Sequence, residues 1–125
     1  MIKFDHMNLP VTDYVKSRDW YVENFGFRVE FEAPERKTVA LEDSEGMGVF
    51  LYEAKGSLAG VKCSLYFQVD SVDEKFAELN SKGVSFINPP GSYFWGYGAE
   101  LRDPDGYQVL LWDRRSMQEK GKSAG

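Results

Sequence analysis

A chain of 125 residues is long enough for one compact domain, or for two small halves that share a core. Its 42% hydrophobic and 15% aromatic content is too apolar for a disordered chain. A net charge of -5 speaks against general nucleic-acid binding and against an anionic membrane surface, since both ask for a basic face, but leaves a small ligand in a pocket open. The single cysteine, Cys63, excludes an intrachain disulfide and a cysteine-only metal cluster, and reads as a structural thiol beside an apolar strand. The first residues lack a secretory signal pattern and no apolar run is long enough to span a bilayer, so a cytoplasmic protein is expected.

Residues 4 to 11 predict a strand that ends at Thr12-Asp13, and either of those residues can cap the following helix. The helix runs to about Asn24, with Tyr14, Val15, Trp20, Tyr21, Val22 and Phe25 as an imperfect apolar stripe, and Gly26 stops it. Residues 27 to 32 alternate apolar and charged, the mark of a half-buried strand. Strands are predicted over 38–41 and 49–53, joined by a turn at 42–46. Residues 54 to 61, with two glycines, read as a linker. The pattern then restarts with a strand over 64–69 and a capping box from Ser71 to Glu74. The helix it opens turns Phe76 and Leu79 inward and ends at Gly83. A strand over 84–87 is expected to break at Pro89-Pro90-Gly91, and strands follow at 98–101 and 108–112 around a turn at 103–106. Residues 114 to 125 read as a flexible, frayed tail.

The order β-α-β-β-β therefore occurs twice, in modules of about 3–55 and 62–113. Residues 41–46, Leu-Glu-Asp-Ser-Glu-Gly, echo residues 101–106, Leu-Arg-Asp-Pro-Asp-Gly, and a Val follows each Gly by three (Val49, Val109). A repeat of roughly 60 residues predicts an α+β fold in which each helix covers one face of its sheet. The other faces are expected to curve around a central cavity within a single domain over 1–113.

Three ordered motifs resemble the vicinal-oxygen-chelate superfamily of glyoxalases, bleomycin-resistance proteins and extradiol dioxygenases. They are residues 6–13 (His-Met-Asn-Leu-Pro-Val-Thr-Asp), Ser17-Arg18-Asp19-Trp20-Tyr21 with Phe25-Gly26-Phe27, and Asp103-Pro104-Asp105-Gly106-Tyr107. Together they cover almost the whole chain. The resemblance implies four inward positions that hold a divalent ion in metal-using members. His6 matches the first. The second falls on Phe50 or Leu51, the third on Ser64 and the fourth on Leu110. One ligand of four remains, and a lone imidazole does not hold a metal ion against water. No metal and no cofactor is therefore expected, unless shifted ligands such as Glu53 or Glu100 join His6.

Strand alternation nominates the lining. His6 and Asn8 share a face of the first strand, and Ser64, Tyr66 and Gln68 a face of the fifth. Gln108, Leu110 and Trp112 share a face of the last strand, and Phe50 with Tyr52 is the preferred choice on the fourth, where a one-residue slip exchanges the faces. His6 reads either as a strand histidine bonded to a neighbour or as a ligand contact. Residues 91–98 place Tyr93, Phe94, Trp95 and Tyr97 among three glycines and a serine, and rings in such a loop should close over a ligand or pack at a seam or core. Aromatic, uncharged walls suit an organic ligand, unless the rings simply fill the space.

Three functions are weighed, the first two implied by the resemblance. The first is a metal-free small-molecule-binding protein similar to the drug-sequestering bleomycin-resistance group, holding an aromatic or amphipathic ligand. The second is a metal-dependent or histidine-based lyase, isomerase or dioxygenase. The third is a protein-interaction domain. A homodimer is expected, because pairing covers sheet edges.

Overall fold

The computed structural model describes residues 1–121 of the chain, which form two compact units, Met1–Val61 and a second beginning at Lys62. The first unit holds β1 (His6–Val11), α1 (Tyr14–Phe25), β2 (Arg28–Ala33), β3 (Thr38–Glu42) and β4 (Gly48–Glu53). Its sheet order is β1-β4-β3-β2, with β1 parallel to β4 and the other pairs antiparallel. The second unit repeats this with β5 (Ser64–Gln68), α2 (Val72–Ser81), β6 (Phe86–Tyr93), β7 (Gly96–Arg102) and β8 (Gln108–Trp112). Its order is β5-β8-β7-β6, with β5 parallel to β8. The fold is α+β, two βαβββ modules with mixed, open sheets.

Local chemistry explains the repeat. Asp13, not Thr12, caps α1, its carboxylate accepting from the backbone N–H groups of Val15 and Lys16 at 3.1 Å each. Ser71 does the same for α2, accepting from the Glu74 N–H at 3.1 Å. The shared Asp-x-x-Gly turns are built alike. Asp43 accepts from Glu45 and Met47 N–H, Asp103 from Asp105 and Tyr107 N–H, all at 2.9 Å. Gly46 and Gly106 adopt φ of 84° and 87°, which a side chain disfavours.

Each helix covers one face of its sheet. On α1 the buried residues are Tyr14, Ser17, Tyr21 and Asn24, a 3-4-3 spacing that corrects the broader expected stripe and leaves Val15 exposed. They lie in one unit with the buried Leu9, Val11, Val39, Leu41 and Leu51. Arg18 and the Tyr14 hydroxyl both bind Glu32 at 3.0 Å, tying α1 to β2. In the second unit Val72 and Leu79 of α2 are buried, and Phe76 meets Phe86 edge-on at 4.8 Å.

Two expectations from the sequence are corrected. Pro89-Pro90-Gly91 does not break β6: the strand runs from Phe86 to Tyr93. It is the sheet's edge, and its pairing with β7 shifts register between Phe86 and Asn88 and between Asn88 and Gly91, so the prolines sit where the ladder is interrupted. Residues 91–98 are consequently not a loop but the tip of a β6–β7 hairpin, with Phe94 and Trp95 as its two turn residues. The start of the expected tail is also corrected. Arg114–Ser116 is helical and runs into a wider turn, Met117–Gly121, because Asp113 caps it by accepting from the Ser116 N–H. The remainder of the expected tail, residues 122–125, lies outside the described residues.

The Tyr97 hydroxyl donates to Asp73 at the start of α2, and burial together with that carboxylate pushes its phenol up to about 12. The fold favours the neutral phenol. This contribution is complete below the ordinary tyrosine value of 10.0 and is lost as pH rises toward 12. Chemical denaturation between pH 9 and 12 should therefore show stability falling across that window, with a shallower fall in Tyr97→Phe. Parallel slopes in the two proteins would refute the assignment.

Candidate functional site

In the first unit, pairing settles the register of the fourth strand. Asn8 pairs with Phe50, Pro10 with Tyr52 and His6 with Gly48. His6, Asn8, Phe50 and Tyr52 therefore share the face opposite α1. The His6 ring stacks on Phe50 at 3.7 Å and 16°, and its Nδ1 hydrogen-bonds Asp5 at 2.8 Å. Phe31, not nominated from sequence, meets Phe50 edge-on at 5.3 Å. The β2–β3 register shifts between Val29 and Phe31, which sends these two residues to opposite faces although they are two apart. Glu53 pairs with Val11 and lies on the α1 side, so it does not join His6 as a shifted metal ligand.

In the second unit, Ser64, Tyr66 and Gln68 of β5 pair with Gln108, Leu110 and Trp112 of β8. Gly98, Glu100 and Arg102 of β7 continue the same rows. All the residues nominated on β5 and β8 thus share the face opposite α2. Their exposure differs: Tyr66 is 54% exposed, whereas Leu110 is covered at 2%. Trp95 completes an aromatic group with them. Its indole lies parallel to Tyr93 at 5.0 Å and 17°, and edge-on to Tyr66 at 5.7 Å.

The polar centre of this face is Glu100, only 6% exposed. Its carboxylate accepts from the Asn88 amide at 3.2 Å and the Gln108 amide at 3.0 Å, and Arg102 lies 3.4 Å away. The Ser64 hydroxyl donates to the Gln108 carbonyl, which fixes that amide's orientation. A buried carboxylate is tolerated only when so satisfied. Asn88 escapes the sequence reading because the Pro-Pro pair hides the part of the strand that presents it, and Tyr93, expected in a loop, lies instead at the end of that strand.

The donor set does not fit a metal at the superfamily positions. Leu110 and Phe50 offer no lone pair, and Ser64 spends its proton on Gln108. His6, with its Nδ1 bonded to Asp5, is then the one imidazole among the four positions, and a lone imidazole does not hold an ion against water. Glu100 is ringed by N–H donors. Among the described residues no group of three or more His, Cys, Asp or Glu is placed to hold an ion. Cys63 is half-buried, and burial followed by the Asp103 charge pushes its thiol up, which disfavours the nucleophilic thiolate. No described helix is long and apolar enough to cross a membrane.

Comparison with known proteins agrees with this architecture. Residues 3–111 match the model of the Glyoxalase/Bleomycin resistance protein/Dioxygenase superfamily, and the chain belongs to that superfamily. It is 31% identical over 119 residues to the uncharacterized protein YraH of Bacillus subtilis (strain 168), covering 83% of this chain and 92% of that one. Among solved structures it resembles TnmS3, an antibiotic binding protein from Streptomyces sp. CB03234, at 25% identity and a TM-score of 0.76, over 90% of this chain and 96% of that one. It also resembles a lactoylglutathione lyase from Agrobacterium tumefaciens at 15% identity and a TM-score of 0.71, over 89% and 92% of the two chains. The last likeness is one of fold alone.

Proposed function

We propose that this chain is a small-molecule-binding protein that holds an aromatic or amphipathic organic ligand without a metal ion. The observation behind this reading is the second sheet's face opposite α2. The residue at the fourth superfamily metal position is Leu110, in register between Tyr66 and Glu100, and Tyr66 meets the Tyr93–Trp95 pair. Rings supply contact area, and the Glu100 network supplies fixed polar groups that orient a ligand. Similarity to an antibiotic binding protein supports the same reading. Tyr66, Gln68, Gln108 and Trp112 on this face are the expected contacts. The protein works as a homodimer in this reading, since β2 and β6 are edge strands whose free backbone groups a second copy would cover.

The test is binding of bleomycin and a panel of aromatic antibiotics, followed by tryptophan emission and calorimetry, with light scattering on the same sample. At least one compound should saturate the protein with equal affinity before and after chelator treatment. Tyr66→Ala should weaken it about tenfold, the scale of a single aromatic anchor. A stoichiometric divalent ion that is lost in His6→Ala would instead favour the enzymatic alternative.

A further inference from the structure

Between residues 114 and 119, Arg114, Arg115, Gln118 and Glu119 are exposed, and only Ser116 and Met117 are half-buried. The Ser116 and Met117 N–H groups both return to Asp113, and the Arg115–Glu119 ion pair is exposed and internal to the segment. These bonds shape the segment without fastening it to the sheet. Met117 supplies the fastening. Its sulfur and terminal methyl lie against Gly96, in the place where a side chain at residue 96 would begin. Gly96 adopts φ of 142° and pairs with Tyr93 across the β6–β7 hairpin, so the glycine serves the turn and also leaves a seat for the thioether.

A thioether suits this seat because it is unbranched, apolar and polarizable. Its sulfoxide does not, because the added oxygen makes the group polar and best placed in water. A hydroperoxide carries out the change without a cofactor. A sulfur lone pair attacks one peroxide oxygen, the O–O bond breaks, and the departing oxygen leaves as water with both peroxide protons. Sulfur is oxidised by two electrons and the peroxide is reduced. A dithiol-dependent reductase reverses it, returning the thioether with a disulfide and water. Packing on Gly96 shields the sulfur, so oxidation is favoured when the segment is released. Linkage is reciprocal, so the oxidised chain favours the released state by the same factor.

We propose that Met117 is a reversible peroxide-modification site, and that its thioether latches the C-terminal segment onto Gly96 at the tip of the β6–β7 hairpin. Oxidation opens the latch and reduction closes it. The rest of the second unit stays folded, because its sheet and α2 are held by other contacts. None of this depends on the ligand-binding reading above, and the readout needs no ligand.

The test treats the full chain with hydrogen peroxide, follows each methionine by peptide mass spectrometry, and probes the product with an arginine-specific protease. Met47, 43% exposed in the first unit, is the internal reference for oxidation. Once Met117 is oxidised, cleavage after Arg114 and Arg115 should run about tenfold faster, because proteolysis tracks the population of the released state. The Arg102 bond in β7 should stay intact. Methionine sulfoxide reductases with dithiothreitol should restore slow cleavage. Met117→Leu keeps the apolar contact and should be cleaved slowly with or without peroxide, whereas Met117→Gln, polar like the sulfoxide, should be cleaved quickly without it. Met47→Leu should leave the peroxide response unchanged. The latch is overturned if Met117 stays reduced while Met47 is fully oxidised, or if its sulfoxide forms with no change in cleavage. It is also overturned if the response survives in Met117→Leu, or if Arg102 is cleaved alongside, which would mean general unfolding.

Discussion

Gly98→Ala is expected to lower the melting temperature by about 10 °C, from a loss of about 3 kcal/mol at roughly 3 °C per kcal/mol for a chain of this length. The cause is steric. A Cβ at residue 98 would fall within 3.0 Å of the Leu111 carbonyl oxygen and of the Trp95 ring. The ring can swing away, but the carbonyl cannot. It belongs to β8, which is bonded on one side to β5 and on the other to β7. Gly91 pairs with Gly98 across the hairpin and supplies the control, because a Cβ there meets nothing nearer than the Pro89 carbonyl at 3.7 Å. Gly91→Ala should therefore melt within about 2 °C of the wild type, helped by a stiffer unfolded chain. Equal melting temperatures for the two variants would dismiss the steric account. Gly98→Ala should also shift tryptophan emission to the red, since the displaced indole moves toward water.

Asp113→Ala is the second large effect, with an expected cost of about 3 kcal/mol by chemical denaturation. Asp113 is 2% exposed, and its two carboxylate oxygens serve different segments. One accepts from the Val72 N–H at 2.6 Å, at the first turn of α2, where the helix dipole favours a negative group. The other accepts from the Ser116 N–H and starts the C-terminal helical turn. Alanine removes both charge-assisted bonds and leaves the Val72 N–H buried without its acceptor. Asp113→Asn keeps one oxygen and should recover about half of the loss. If Asn and Ala are equally damaging, the bridging role assigned to the two oxygens is wrong. Met117 should report the same event. Its sulfur packs against Gly96, so release of the segment in Asp113→Ala should raise the rate at which Met117 is oxidised by peroxide.

Both predictions concern the second unit, where sequence and structure diverge most. The continuation of β6 past residue 87 is not legible because a Pro-Pro pair normally ends a ladder, and only the edge position and two register shifts make the pair harmless. With the strand expected to stop at residue 87, Asn88 and Tyr93 have no assigned face, and Glu100 has no visible partners. The same limit applies to Phe31, whose side of the sheet is reversed by a bulge that alternation does not reveal. Phe50 and Tyr52 were placed on the His6 face by preference, and strand pairing with β1 and β3 is what decides it.

The doubled β-α-β-β-β order, the helix caps and the two Asp-x-x-Gly turns are determined by the sequence itself. They rest on bonds spanning two to four residues, as Asp13, Ser71, Asp43 and Asp103 each show. The departure from the superfamily metal set is likewise determined by the sequence, since Leu110 and Phe50 have no lone pair wherever they point. The polar floor of the candidate site was decided by tertiary structure alone. Asn88, Glu100, Gln108 and Ser64 come from four strands, and only the β5-β8-β7-β6 order brings them onto one face in two adjacent rows. The stack of Trp95 on Tyr93 depends likewise on a glycine three residues further on, whose missing side chain leaves room for the ring.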